Sequence, residues 1–208
     1  TTSVGNDGNP GTPNSPFATI NYAISKAQTG DNIYVDAGTY IENVVVNKSL
    51  ALRGAKEGQQ PGTSLDRGNE TVIKPAVNNL TLAGCIIKAA ADNVMINGFL
   101  LDGDNPNISG GVNVNNIDVN AGMGVFNDNA IINNLVVINN IVKNTSLYGI
   151  GQFKTNGNTT APAVTGAVFS YNRVNNIGSR GIVLAWNAYG LITENIISNC
   201  TNVGIWVA

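Results

Sequence analysis

The sequence contains no histidine. That removes the commonest general base, the commonest zinc ligand and the usual serine and cysteine triads. Charge is scarce too. Asp, Glu, Lys and Arg make up 12% of the 208 residues, against a usual share of about 25%. The net charge is −2 and no basic run occurs, so nucleic acid is excluded as an expected partner. The two cysteines, Cys85 and Cys200, lie too far apart for a metal-ligand spacing and form no disulfide framework. Both sit among apolar neighbours and read as small core residues. No apolar run approaches the roughly 20 residues of a membrane span. No signal-peptide pattern opens the sequence, which is uninformative for an exported protein already processed. What fills the space is Asn, Gly and Thr around an apolar content of 43%. That content suits a globular chain with a substantial core, and not a disordered one.

The second half carries a repeat. "NIVKNTSLYG" (140–149), "NRVNNIGSRG" (172–181) and "NIISNCTNVG" (195–204) share Asn, a β-branched residue at +2, Asn at +4 and Gly at +9. The second and third are offset by 23 residues, and the first and second by 32. The difference is an insertion of nine in "KTNGNTTAPAVTG", a loop composition. Each period holds short runs of alternating apolar and polar residues, such as "AVFSYNRV" and "GIVLA". A period of this size without a leucine ladder or helical stretch predicts a β-solenoid. Successive coils then stack about 4.8 Å apart as parallel strands. Asn172 is expected to stack on Asn195 and Asn176 on Asn199, as amide ladders along the axis. Gly149, Gly181 and Gly204 are expected in tight turns with positive φ.

Earlier coils are less regular. Strands are expected around Ile33–Val35, Asn43–Val46 and Ser49–Leu52, and again in "ETVIKP", "NLTLAGCIIKA" and "NVMINGFLLDG". "AKEGQQPGTSLDRGN" and "DGDNPNISGG" read as loops. The N-x-S/T triplets, as at Asn47, Asn69 and Asn158, are what an Asn- and Thr-rich chain produces by chance.

The front breaks the β pattern. Phe17, Ile20, Ile24 and Ala27 share one helical face. Ser15 is the expected N-cap, Pro16 the first helical residue and Gly30 the C′ residue. Such a helix covers the apolar cross-section of a first coil. The fold class expected is therefore all-β: a right-handed parallel β-helix with a short N-terminal capping α-helix. Residues 1–208 form a single domain, with 1–30 the cap segment and 31–208 the coils.

The segment from Val4 to Gly54 carries a G-N-D-x-N-P-G-T…P-F-x-T-I run, then G-D-x-I-Y-V and G-x-Y. It resembles the start of bacterial exported right-handed parallel β-helix proteins of the pectate-lyase-like superfamily, and the N-x-V/I-x-N…G-I coils extend the resemblance. It implies the fold and export to the medium or cell surface. It implies function loosely, since that family holds lyases, glycosidases, adhesins, tailspikes and domains without activity.

Lyases on this fold draw a sugar proton with a lysine or arginine, so the resemblance directs attention to Lys154 and Arg180, with Asp128, as catalytic candidates. Asp102, Asp104 and Asn107 in "DGDNPN" offer an oxygen-rich turn suited to calcium, or equally to an Asx-rich loop. Tyr148, Tyr171, Trp186, Tyr189 and Trp206 are candidate platforms for sugar rings, with Trp186 and Tyr189 preferred. No carboxylate pair is assigned by spacing. Ile205, Trp206 and Val207 stand in the middle of a strand pattern. A next coil of a longer chain, or end-to-end self-association, is expected to cover them. The leading expectation is an extracellular or cell-surface module with a structural or adhesive role and weak glycan binding. The alternative is a polysaccharide lyase or glycoside hydrolase acting on an acidic polysaccharide. Ice binding ranks last, because the aligned coils carry no regular threonine rows.

Overall fold

A computed structural model describes residues 5–81, 83–127, 131–153 and 163–208. Short β-rich runs broken by Asn and Gly turns wind into six coils of three strands each, joined as three parallel six-stranded sheets. The first sheet takes β1 (Asn32–Val35), β4 (Ala51–Gly54), β7 (Met95–Asn97), β12 (Val136–Ile138), β15 (Val164–Ser170) and β18 (Ala188–Thr193). The second takes β2 (Gly38–Ile41), β5 (Thr71–Lys74), β8 (Phe99–Asp102), β13 (Ile141–Thr145), β16 (Arg173–Ile177) and β19 (Ile196–Cys200). The third takes β3 (Val44–Val46), β6 (Cys85–Ala89), β11 (Met123–Phe126), β14 (Tyr148–Phe153), β17 (Arg180–Ala185) and β20 (Val203–Val207). A small antiparallel hairpin, β9 (Val112–Val114) and β10 (Ile117–Val119), interrupts the third coil. The winding is a right-handed parallel β-helix, the hand that twisted parallel strands impose on their crossovers.

The register lines the interior with one residue per coil in each sheet. In the first sheet Ile33, Leu52, Ile96, Val137, Phe169 and Ile192 stack. In the second, Tyr40, Ile73, Leu101, Val142, Val174 and Ile197 stack. In the third, Val44, Ile87, Val125, Ile150, Ile182 and Ile205 stack. Most of these belong to one continuous core. Each buried aliphatic side chain contributes about 1.5–3 kcal/mol.

The amide ladder expected at the first repeated Asn is present. The Asn140 amide donates to Asn172 Oδ1 at 3.2 Å, and the Asn172 amide to Asn195 Oδ1 at 2.9 Å. Both Asn140 and Asn172 are buried, so their satisfied amides hold the turn that would otherwise strand polar groups. The second ladder differs from expectation. The Asn176 amide donates to Asn144 Oδ1 at 2.7 Å and accepts from Asn115 of the hairpin at 2.8 Å. Asn199 is exposed and stands outside that chain of bonds. What Asn144, Asn176 and Asn199 share is a left-handed backbone, with φ of 58°, 56° and 54°, which Asn tolerates best among residues with a side chain.

The repeated glycines also need correction. Gly149, Gly181 and Gly204 lie inside β14, β17 and β20, without positive φ. At Gly149 and Gly181 the reason for glycine is close approach. A Cβ on Gly181 would sit 2.5 Å from Ile197 Cγ2 and 2.6 Å from Gly204 O.

The cap helix α1 spans Ile20–Lys26, shorter than the sequence suggested. Its N-cap is Thr19, whose hydroxyl accepts from Tyr22 N, and its C-cap is Ala27. Ser15 and Pro16 lie before it, and Phe17 packs edge-on to Tyr22 at 5.1 Å. Glu42 accepts from the backbone N–H groups of Ile20 and Asn21, and Lys48 donates to the carbonyls of Ile24, Ser25 and Ala27. First-coil residues thus satisfy both ends of the helix, and Ile20 and Ile24 are buried against the core. Cys85 is buried and Cys200 half-buried, and among the described residues neither forms a disulfide.

Candidate functional site

In the third sheet strict alternation is broken at the repeated glycine: a Cβ on Gly124, Gly149 or Gly181 would meet interior side chains, as the next residues Val125, Ile150 and Ile182 do, so the residues on either side of this inward pair face outward. In register, Met123, Tyr148, Arg180 and Val203 form one outer row, and Phe126, Gly151, Val183 and Trp206 a second. Phe153 and Ala185 pair beside them. These outward residues build a second apolar cluster, separate from the interior core. Gly151 makes it possible, because a Cβ there would meet Met123 Cε at 2.9 Å and Phe153 Cε1 at 3.3 Å.

The rings connect across the coils. Phe126 and Phe153 lie 4.5 Å apart between centroids, Phe153 and Trp186 5.1 Å, and Trp186 and Trp206 5.4 Å. The last two pairs meet edge-to-face, the arrangement that ring quadrupoles favour. Trp186 holds φ of +52°, and its backbone N–H donates to Ala208 O at 2.8 Å. Arg180 lies over the Trp206 ring at 4.2 Å and 5.5 Å from the Tyr148 centroid. Its Nη1 donates to Tyr148 Oη at 3.0 Å, while its buried Nε has no partner among the described residues. Phe126 and Phe153 are closed to solvent, whereas Tyr148, Arg180, Trp186 and Trp206 are half-buried. The result is an apolar floor with an indole and guanidinium rim. Such a rim can stack a flat apolar surface and donate hydrogen bonds beside it.

Four residues singled out from the sequence therefore meet here: Arg180 as a catalytic candidate, and Tyr148, Trp186 and Trp206 as candidate platforms. The remaining candidates do not join them. Asp128 and Lys154 lie outside the described residues. Tyr189 stands exposed in β18 of the first sheet and takes no part in the ring chain. Ile205 and Val207 face opposite to Trp206, stacked on Ile182 and Leu184, and are 47% and 65% exposed. Phe126, Phe153 and Met123 were not legible as site residues. The common signal was the position just before the repeated glycine, held by Tyr148 and Arg180.

The oxygen-rich turn is occupied differently from the calcium expectation. Asp102 Oδ2 lies 3.4 Å from both Lys74 Nζ and Lys143 Nζ. Its Oδ1 accepts from the Asn144 amide at 2.7 Å and from Asp104 N at 3.2 Å. Lys74 also donates to Asp104 O at 2.6 Å. Asn107 N donates to the Asn105 side chain, an Asx turn. Burial, and then the neighbouring Asp102 carboxylate, push the Asp104 carboxyl above the usual carboxylate range. Two ammonium groups beside Asp102 repel a divalent cation, so these residues do not fit calcium. Among the described residues no group of three acidic, histidine or cysteine side chains is placed to hold a metal. The cluster instead ties together β5, β8 and β13, and with them the start of the 103–121 excursion.

Fold and outer face define the class of molecule, a capped parallel β-helix with an aromatic–arginine surface on its third sheet. Comparison with protein-family models, with curated proteins and with solved structures finds no match.

Proposed function

We propose that the chain is an extracellular or cell-surface β-helix module with a structural and adhesive role, which binds glycan at the rim of Tyr148, Arg180, Trp186 and Trp206. The observation that carries this reading is Arg180, stacked on Trp206 and hydrogen-bonded to Tyr148 above a closed aromatic floor. Indole rings supply the stacking surface for sugar C–H faces, and the guanidinium supplies fixed donors. The resemblance of Val4 to Gly54 to the pectate-lyase-like superfamily supports export and membership of that superfamily. Retention on immobilised polysaccharides tests the reading. The unmodified chain is expected to be retained by at least one glycan, and Trp206→Ala and Arg180→Ala to lose that retention tenfold. Equal retention of both variants would refute the assignment of this face.

The Arg180–Tyr148 bond favours one second reading. A cation touching a proton-bearing hydroxyl is a pair able to move a proton in a lyase or hydrolase acting on an acidic polysaccharide. Its test is the release of unsaturated or reducing ends, lost in Tyr148→Phe.

We further propose end-to-end self-association of the 208-residue chain through β20, supported by the exposure of Ile205 and Val207 above core positions. Sedimentation is expected to show association that the double variant Ile205→Lys, Val207→Lys weakens. A monomer at tens of micromolar for the unmodified chain would contradict it.

A further inference from the structure

The turn between the first and second sheets uses a left-handed residue in each of the last four coils. Gly98, Asn139, Tyr171 and Glu194 hold φ of 84°, 56°, 55° and 52°. Glycine and asparagine take this conformation readily, while a bulky aromatic or a glutamate is held there against its preference. The two unsuited residues are neighbours, because β16 and β19 pair in register directly after them. They line the same cleft of about 180 Å³, with Gln60, Pro61 and Ile196. Strain at non-glycine residues that share one cleft points to selection for the side chain over the fold.

The opposite wall is fixed in place. Residues 55–69 leave the second coil and return to β5. Arg67 anchors them, with an ion pair to Glu70 and donations to Asn139 O at 2.8 Å, Phe99 O at 3.3 Å and Gln59 O at 2.6 Å. Pro61 is buried. The cleft is therefore formed before any ligand arrives, which lowers the ordering cost of binding.

Its chemistry is mixed. Tyr171 and Ile196 are each 39% exposed and line the cleft together with the buried Pro61. Glu194 and Gln60 are exposed and supply acceptors and donors. Among the described residues, neither the Tyr171 hydroxyl nor the Glu194 carboxylate is bound by another side chain. At about 180 Å³ the cleft is small and open to solvent, with room for one ring between its walls. The carboxylate repels anions, and a wholly apolar ligand would leave it unpaired.

We infer that this cleft binds a single neutral sugar ring, with its C–H face on Tyr171 and its hydroxyls on Glu194 and Gln60. The site is on a different turn from the aromatic–arginine rim, and binding here stands whether or not that rim takes glycan. The test uses saturation-transfer NMR on the 208-residue protein with methyl β-glucoside, methyl β-galactoside and N-acetylglucosamine, together with thermal midpoints. At least one sugar is expected to bind saturably in the millimolar range. Tyr171→Asn is expected to weaken it tenfold or more with an equal or higher midpoint, since Asn suits the left-handed slot as Asn139 does. Gln60→Ala, on the opposite wall, is expected to weaken it severalfold with no change of fold. In the Trp206→Ala background, where the rim is removed, the sugar binding that Tyr171→Asn and Gln60→Ala weaken is expected to remain, which separates this site from the rim. Absence of saturable binding by all three sugars, or equal affinity in Tyr171→Asn and Gln60→Ala, would overturn the inference. So would a lower midpoint for Tyr171→Asn, which would make the ring structural.

Discussion

Two residues in the same repeat position do different work, and the coil they occupy decides which. Gly181 and Gly204 are adjacent in the third sheet, yet a Cβ on Gly181 would strike Ile197 and the Gly204 carbonyl, while one on Gly204 meets its nearest neighbour at 3.8 Å. Gly181→Ala is expected to cost about 1–3 kcal/mol as an overpacked core site. Gly204→Ala should leave the denaturation midpoint almost unchanged, and equal losses in chemical denaturation would refute the close-approach account. Asn176 and Asn199 divide in the same way. Asn176→Leu removes a buried amide bonded to Asn144 and Asn115, an expected loss of about 1–3 kcal/mol on top of the strain of a left-handed leucine. Asn199→Leu carries only that strain, about 1–2 kcal/mol. The smaller midpoint shift should belong to Asn199→Leu; the reverse order would place the ladder elsewhere. From sequence both asparagines looked alike, because the spacing reports alignment and the hairpin that buries Asn176 has no repeat of its own.

At the scale of elements, the last three coils were legible because little interrupts them. Asn172 meets Asn195 at an offset of 23, while Asn140 meets Asn172 at 32. Earlier coils carry the 55–69 loop and the 103–121 excursion, which push their repeats out of phase. The helix was legible as a cap from Ile20 and Ile24, both buried, but its start was not. Ser15-Pro16 is a good local start signal, and Thr19 prevailed because Glu42 of the first coil receives the N–H groups of Ile20 and Asn21. That is a tertiary contact and invisible to local pattern. Ile24→Asp is expected to uncover the first coil, lower the thermal midpoint and promote aggregation. Phe17→Asp, outside the helix, should be milder. Size-exclusion chromatography of the two variants checks this: a soluble monomeric Ile24→Asp would contradict the capping role.

For the whole molecule, three interior columns and an amide ladder make a continuous scaffold on which outer faces are displayed. The candidate face was only partly legible. Trp206 aligns with Val183 and not with Trp186, so the two indoles meet through a turn residue at the end of β17 that register alone does not place. Arg180 and Tyr148, by contrast, align through the repeat. Against the calcium reading stand Lys74 and Lys143, distant in sequence, which flank Asp102 through the register of the second sheet. The role proposed for the module is to hold glycan without cutting it. The most direct measurement is incubation with pectins, alginates and host glycans, calcium present, following both bound protein and newly formed chain ends. Retention on at least one polymer, dependent on Trp206 and Arg180, with no unsaturated or reducing ends accumulating, is the predicted result. Sustained release of such ends with turnover, abolished in Tyr148→Phe, would contradict it.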